Sequence, residues 1–280
     1  TEPENAHILT AFVRRVREHL NQRSKELSRP LRLAVRVTET LESCRLDGFD
    51  VETWIKEGLV DIVAMGSGAM DIEIEAFKKL TEGTDVRIHP CLYATRRDEH
   101  GVMPIEMYRA LASNYHYQGS DGFYTFNWNA HTSINRPDRV YQREFLGVVD
   151  DPANFIGQNK IFVSEKGKPD WKYPHNFRHN DFPAEVGKDK PALVHVMVGE
   201  DYAKAPKPKS ITLIIDLVNH PEDVEYEIQM NSKLLEGTSR NGGRIRSNLE
   251  TDDLILGRNQ FTISSHGLFI WDHDRALSIE

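Results

Sequence analysis

Four strand-like runs, each followed by a helical pattern, constrain the fold of this chain more than any other feature. The runs are apolar and rich in β-formers, and they cover Leu31–Val37, Leu59–Met65, Val86–Ala94 and Gly122–Trp128. They begin at intervals of 28, 27 and 36 residues, close to the ~31 residues per unit of a ~250-residue (β/α)8 barrel. Alternating strands and helices favour a parallel sheet covered by helices. Because a closed barrel needs eight units, the sequence predicts the second half of a (β/α)8 TIM barrel.

Local helix signals support this alternation. Before the first run, one apolar face recurs at helical spacing, formed by Ile8, Leu9, Phe12, Val13, Val16 and Leu20. Asp50 and Asp71 occupy predicted N-cap positions. A small open sheet is the alternative architecture. Doubly wound open sheets usually carry a glycine-rich phosphate loop after their first strand, and Val37–Ser43 (VTETLES) contains no glycine.

A second region begins after the fourth run, where the helical pattern ends. Residues 136–190 are rich in turn-forming and polar residues and predict a loop-rich connection. Runs with a period of two follow at Leu193–Val198, Ile211–Leu217, Val224–Met230, Gln260–Ser264 and Leu268–Trp271, with a predicted turn at Asn231 and Ser232. We therefore predict a half-barrel over residues 1–135 and an antiparallel β-sandwich over residues 191–280.

Composition narrows the classes of molecule that the chain could bind. The net charge of -8 and the lack of a concentrated Lys/Arg run argue against nucleic acid or an anionic membrane as partner. No apolar stretch approaches the ~18 residues of a transmembrane helix, and the first residues do not form a signal peptide. Cys44 and Cys91 are interpreted as reduced packing thiols. The pairs His175/His179 and Asp272/Asp274 lack a third ligand at a recognisable spacing, so no metal or other cofactor is expected.

Functional side chains of a barrel follow the carboxyl ends of its strands, where the loops converge. This rule selects Arg36, Glu39, Glu42, Ser67, Asp71, Tyr93, Arg96, Arg97, Asp98, Glu99, Asn127, Trp128, Asn129 and His131. Such a mixture suits saccharides, because flat sugar faces stack on aromatic rings and hydroxyls bind polar side chains.

From this set we predict Arg36, Tyr93, Arg96, Asn127 and Trp128 as substrate-binding residues and Glu39 as a catalytic carboxyl group. The alternatives are that Glu39 forms a salt bridge with Arg36 or Arg45 and that Asp71 only caps a helix. Glycoside hydrolysis needs two carboxyl groups about 5 to 9 Å apart, so Glu39 would need a carboxyl partner.

The segment Leu31–Gly68, together with Asp121–Trp128 (DGFYTFNW), resembles the second half of bacterial glycoside-hydrolase-like barrels of the family 10-like type. The matching motif is GFDVETWIKEGLVD at Gly48–Asp61. The resemblance implies an acid and a nucleophile after the fourth and seventh strands. Val86–Ala94 corresponds to the seventh strand, yet no glutamate stands at its end. The resemblance therefore implies that an N-terminal half-barrel chain or segment supplies the fourth-strand carboxylate.

The region Val224–Leu235, followed by Gly257–Ile263, resembles jelly-roll accessory modules of glycoside hydrolases, although any β-sandwich shows the same alternation. The predicted function is hydrolysis of an oligo- or polysaccharide, which favours a location outside the cytoplasm. A flavin-dependent oxidoreductase is one alternative, because the W-φ-x-E-G-L-V-D run, where φ is apolar, also occurs in barrels of the old yellow enzyme type. The third and fourth runs lack the glycines of a phosphate loop, which disfavours flavin. A non-catalytic glycan-binding protein is the other alternative.

Overall fold

The computed structural model describes residues 3–66, 70–93, 103–126, 140–164, 184, 186, 187, 190–218, 223–266, 278 and 279. The chain forms two compact units. The first comprises Thr1–Pro104, Gln118–Asp150 and Gly167–His179, and the second comprises Ile105–Tyr117, Asp151–Lys166 and Asn180–Glu280. No helix in the described ranges is long and apolar enough to cross a bilayer.

The helices are α1 (Ala6–Leu27), α2 (Leu41–Leu46), α3 (Val51–Lys56), α4 (Ile74–Thr81), α5 (Ile105–Tyr117) and α6 (Val140–Leu146). Only α5 among these belongs to the second unit. Short 3-10 turns lie at Pro3–Asn5, Pro152–Phe155 and Thr251–Asp253.

The first unit is built around a parallel sheet. Its strands are β1 (Ala34–Val37), β2 (Ile62–Met65), β3 (Arg87–Tyr93) and β4 (Tyr124–Phe126). Each pairs in parallel with the next, in the order β1-β2-β3-β4. This sequential order lacks the reversal that defines a doubly wound sheet and matches that of consecutive barrel strands. The predicted parallel strands are confirmed, and one lies in each of the four apolar runs.

The two faces of this sheet differ in burial. Val63, Met65, Ile88 and Leu92 are fully buried on one face. Fully burying such a side chain contributes about 1.5 to 3 kcal/mol each. On the opposite face, the register places Arg36 beside Ala64 and His89, and Tyr124 beside Cys91. Arg36 and Tyr124 are exposed there while Ala64 and Cys91 are buried, so this face is mixed in polarity and only partly open to solvent.

Two aspartates tie the amino ends of the strands together. Asp61, just before β2, accepts the backbone N–H of Leu33 at 2.6 Å and donates its own N–H to the Leu33 carbonyl at 2.9 Å. Asp121, before β4, accepts the N–H of Ile88 at 2.8 Å and the Lys78 ammonium at 2.8 Å. Because barrel sites lie at the opposite end of the sheet, both aspartates serve stability.

Helix α1 is rotated relative to the predicted face. Thr10 and Val13 are buried, whereas Ile8 and Phe12 are 59% and 60% exposed. The buried face is set by a polar contact, because the indole N–H of Trp54 donates to the Thr10 hydroxyl at 2.9 Å. Apolar spacing alone could not reveal that a threonine would be the inward residue.

One of the two predicted caps is correct. Asp50 caps α3 by accepting the N–H of Thr53 at 3.1 Å. The prediction for Asp71 is wrong, because the N-cap of α4 is Glu73. The Glu73 backbone N–H donates to the Glu39 carbonyl at 3.0 Å, which fixes where this helix begins.

The second unit contains two antiparallel sheets. Its strands are β5 (Ala192–Val198), β6 (Ile211–Val218), β7 (Glu225–Met230), β8 (Lys233–Leu234), β9 (Ser239–Asn241), β10 (Arg244–Leu249), β11 (Gly257–His266) and β12 (Ser278–Ile279). They form the orders β12-β6-β10-β9 and β5-β11-β7-β8. Side chains from both sheets, including Ile215, Ile245, Ile228 and Phe261, share one buried apolar cluster. The antiparallel sheets agree in general with the predicted sandwich, while the run Leu268–Trp271 lies outside the described residues.

Polar contacts join α5 and a loop to the end of β5. Asn114 of α5 donates to the Met197 carbonyl at 3.1 Å and accepts the N–H of Gly199 at 2.7 Å. Lys160 and Glu200 form an ion pair at 2.5 Å, with side chains only 1% and 5% exposed. The second Glu200 oxygen accepts the N–H of Gly157 at 2.7 Å, so this buried carboxylate is satisfied on both sides.

Candidate functional site

Glu39 lies directly after β1 and is held there by the main chain on both sides. The Gly66 N–H donates to the Val37 carbonyl, and the Glu73 N–H donates to the Glu39 carbonyl, each at 3.0 Å. The next residue, Thr40, caps α2 by accepting the Ser43 N–H at 3.0 Å. Glu39 itself is 2% exposed. A short strand followed at once by a capped helix therefore fixes this carboxylate at the carboxyl end of the sheet.

Arg36, Tyr93 and Phe126 meet at the same end of the sheet. The Arg36 Nε donates to the Gly66 carbonyl at 2.9 Å, and its guanidinium carbon lies 4.1 Å from the Phe126 ring centroid. The rings of Tyr93 and Phe126 contact edge to face, with centroids 5.8 Å apart. Cation–π and aromatic contacts each stabilise such an arrangement by about 0.5 to 1.5 kcal/mol. We call Arg36, Glu39, Tyr93 and Phe126 the strand-end cluster.

Members of the strand-end cluster affect the pKa of Tyr93. Burial raises the pKa of Tyr93 well above its ordinary value; the nearby Cys91 and Glu39 raise it further, while Arg36 opposes them. The phenol is therefore protonated at neutral pH and can donate a hydrogen bond. The structure thus brings together a carboxylate, a guanidinium and a neutral phenol from two different strands.

Gly66 makes this close packing possible. Its φ of +133° is a conformation that side-chain-bearing residues rarely adopt, and a Cβ there would lie 2.7 Å from the Cys91 Cβ and 3.1 Å from the Tyr93 hydroxyl. The Gly66 carbonyl also accepts from Arg36. One glycine at the end of β2 therefore allows both Tyr93 and Arg36 to take their positions.

His89 lies on the same face of β3, nearer its amino end. Its ring packs over Gly122, where a Cβ would come within 2.9 Å of Nε2. Nε2 is buried and has no hydrogen-bond partner among the described residues. Burial lowers the pKa of His89 and Arg87 adds to the effect, against Asp121. The ring is therefore neutral at pH 7.

The two cysteines are buried and form no disulfide. Burial raises the pKa of Cys44 to about 12, although the Thr38 hydroxyl beside it favours the thiolate. A protonated, enclosed thiol is a poor nucleophile. This supports the interpretation of Cys44 as a packing group.

The structure unites three of the six predicted site residues, namely Arg36, Glu39 and Tyr93. Arg96, Asn127 and Trp128 lie outside the described residues, as do Ser67, Arg97, Asp98, Glu99, Asn129 and His131. Glu42 is exposed in the first turn of α2.

Sequence reasoning missed Phe126 and Gly66 as members of the site. Phe126 lies two residues before the predicted Trp128 in the sequence, but its place beside Tyr93 depends on the register of β3 and β4. Gly66 carried only the weaker signal of a glycine at a strand end.

The strand-end cluster has the chemistry of a polyol site. A guanidinium and a phenol donate hydrogen bonds to hydroxyls, an aromatic ring offers an apolar face, and a carboxylate can accept or transfer a proton. Glu39 is the carboxylate of this cluster, and it raises the pKa of Tyr93. In the described ranges, no group of three or more His, Cys, Asp or Glu side chains could hold a metal ion.

The comparisons with known proteins do not assign this chain to a family. No protein-family model matches the chain, and no curated protein matches it. Among solved structures, the chain is similar to a bacterial fucosidase with a monovalent iminocyclitol inhibitor, at 11% identity and a TM-score of 0.20. The match covers 80% of this chain and 61% of the fucosidase chain. At that TM-score the similarity supports no conclusion about fold or activity.

Proposed function

We propose that this chain is a carbohydrate-active protein that binds a saccharide at the carboxyl ends of β1, β3 and β4. The observation that carries the proposal is the strand-end cluster, in which buried Glu39 is held within electrostatic reach of the protonated Tyr93 phenol. Carboxylate, phenol and guanidinium converge at the end of a parallel sheet where barrel sites form.

Each side chain has a defined role in this proposal. Arg36 and Tyr93 donate hydrogen bonds to sugar hydroxyls, and Phe126 supplies an apolar edge. Glu39 transfers a proton at the glycosidic oxygen, because it is the carboxyl group held at this strand end. Arg96, Asn127 and Trp128 remain predicted members of the same site, with Trp128 stacking on a sugar ring.

Hydrolysis requires a second carboxyl group, about 5 to 9 Å from the first. We propose that it comes from a further set of β/α units that completes a (β/α)8 barrel, as a separate chain or as a segment of the same protein. The sequential strand order supports this, because within the described residues β1 and β4 are the edges of the sheet. Unpaired edges and a partly open face are features that closure would cover.

The test separates binding from hydrolysis. The 280-residue chain is titrated by calorimetry with neutral oligosaccharides of defined linkage, and release of reducing ends is measured in parallel. We expect binding without turnover for this chain and turnover for natural material that includes the remaining barrel units. In that natural material, Glu39→Gln should abolish turnover and keep binding, whereas replacing Glu75, an exposed carboxylate in the first turn of α4, with glutamine should change neither. Hydrolysis by the 280-residue chain alone would refute the half-barrel proposal.

A non-catalytic glycan-binding protein is the second candidate. The observation that favours it is that the strand-end cluster, drawn from the described residues, contains one carboxylate, since hydrolysis by the usual mechanisms needs two. In that case the natural protein would bind an oligosaccharide with the affinity of the chain tested here, and no reducing ends would form. Loss of turnover in Glu39→Gln natural protein would exclude this candidate.

A further inference from the structure

The second unit contains a polar cleft lined in part by three arginines. None of its residues belongs to the strand-end cluster. Its volume is about 470 Å³, and it is lined by Ser239, Arg240, Asn241, Arg244 and Arg246. All five belong to the two strands β9 and β10. The stretch from Ser239 to Arg246 thus carries three positive charges in a chain whose net charge is -8.

Strand geometry places two of these arginines side by side. Arg244 and Arg246 alternate with the buried Ile245 and Ser247, so both point to the outer face of the sheet. In the register, Arg246 lies opposite Ser239 on β9, and Arg244 lies opposite Asn241. A hydroxyl and an amide therefore flank the two guanidinium groups.

The three arginines differ in how much of their hydrogen-bonding capacity is used. Arg240 donates to the carbonyls of Val224 at 2.6 Å and Gly242 at 2.9 Å. In the register Arg240 lies opposite the buried Ile245, so these bonds hold it on the other face of the sheet, where it borders the cleft without facing Arg244 and Arg246. Arg244 forms a bidentate pair with Asp216 at 2.5 and 2.8 Å. Arg246 is exposed, and its guanidinium donates to no acceptor within the described part of the chain.

We propose that this cleft binds the oxyanion of an acidic saccharide, a carboxylate or a sulfate group. Guanidinium groups form charge-assisted hydrogen bonds with such oxyanions. The serine and asparagine side chains can bind neighbouring hydroxyls. The saccharide part of this inference rests on the function proposed above, whereas the oxyanion site rests on β9 and β10 alone. Arg246 is the main ligand, and Asp216 limits the contribution of Arg244.

The experiment titrates the full chain, by calorimetry at low salt, with tetragalacturonate, a sulfated disaccharide, its desulfated form and inorganic sulfate. Arg246→Gln should weaken binding of the acidic saccharides about tenfold, the loss of one charge-assisted contact. Arg258→Gln is the matched control, because Arg258 is an exposed strand arginine of β11 in the other sheet. It should leave the affinity unchanged.

A second variant moves the affinity in the opposite direction. Asp216→Asn removes the carboxylate that competes for Arg244, so it should strengthen binding of the same probes several-fold. A purely structural role for these arginines would produce no such gain. The preferred probe distinguishes a carboxylate from a sulfate ligand. Equal binding of inorganic sulfate would support the oxyanion site and remove its saccharide selectivity.

Two results would overturn the proposal: equal weakening by Arg246→Gln and Arg258→Gln, or no binding of any acidic probe at low salt. Failure of the function proposed above gives a different pattern. In that case neutral oligosaccharides do not bind and Glu39→Gln has no effect, while the acidic probes still depend on Arg246.

Discussion

Replacing Gly66 with alanine should selectively destabilise the first unit. The alanine must adopt the φ of +133°, and this backbone strain costs about 1 to 3 kcal/mol. The new Cβ would also lie 2.7 Å from the Cys91 Cβ and 3.1 Å from the Tyr93 hydroxyl, and such overpacking costs about 1 to 3 kcal/mol. We therefore expect a loss of about 2 to 6 kcal/mol in the free energy of unfolding of this unit.

The matched control is Gly58→Ala. Gly58 also has a positive φ, +63°, yet a Cβ there would meet nothing within 4 Å. This variant should lose only the backbone term of about 1 to 2 kcal/mol. The difference in stability loss between the two variants therefore measures two effects together: the crowding against Cys91 and Tyr93, and the rarer backbone conformation of Gly66.

Native-state hydrogen exchange measures both losses where they occur. Amides of β2 and β3 should exchange faster in Gly66→Ala than in Gly58→Ala, while amides of the second unit keep their rates. Saccharide affinity should also fall in Gly66→Ala, because Tyr93 must move. If the two variants exchange equally fast, the reasoning about crowding at the strand end is refuted.

Three further predictions concern single side chains. The fold lowers the pKa of His89 below its ordinary value of 6.5, so at acidic pH the unfolded chain binds more protons than the folded chain and stability falls as the pH drops. In urea unfolding, the loss of stability between about pH 7.5 and about pH 5.5 should be smaller for His89→Gln than for the unchanged chain. Lys160→Met leaves the Glu200 carboxylate buried without its cation and should lower the free energy of unfolding by about 3 to 5 kcal/mol. Adding Glu200→Leu should restore part of this loss. Urea unfolding that shows no loss of stability in Lys160→Met would contradict the prediction. Trp128→Ala should weaken oligosaccharide binding by about 1 to 3 kcal/mol in calorimetry, and an unchanged affinity with intact folding would exclude Trp128 from the site.

The strands of the first unit could be predicted because their signal is local. Each apolar run is long enough to be buried, and each is separated from the next by a helical segment, so a parallel arrangement follows from connection length. The orientation of α1 could not be predicted, because a hydrogen bond from Trp54, distant in sequence, decides that Thr10 faces inward.

Strands β9 and β10 were missed for a related reason. Arg244, Arg246 and Asn248 alternate with Ile245, Ser247 and Leu249, and only two of the inward residues are strongly apolar. The pairing of β10 with β6 on one side and β9 on the other supplies the rest of the stabilisation, which no local pattern encodes. The limits of the three predicted regions, 1–135, 136–190 and 191–280, stay predictions.

The site could be predicted as a set of strand ends but not as a set of contacts. The rule for parallel strands selected Arg36, Glu39 and Tyr93 because the carboxyl ends of neighbouring strands meet. Phe126 and Gly66 depend on register and on a positive φ, which are set by pairing. The roles given to the predicted residues stay predictions until a saccharide is tested.

Hydrogen exchange with a bound saccharide tests the central claim most directly. The chain is compared with and without a saturating concentration of the neutral oligosaccharide that binds it best. We predict slower exchange in residues 36–40 and 91–93, at the carboxyl ends of β1 and β3. Protection confined to the amino ends, around Asp61 and Asp121, or to the second unit would contradict the proposed site.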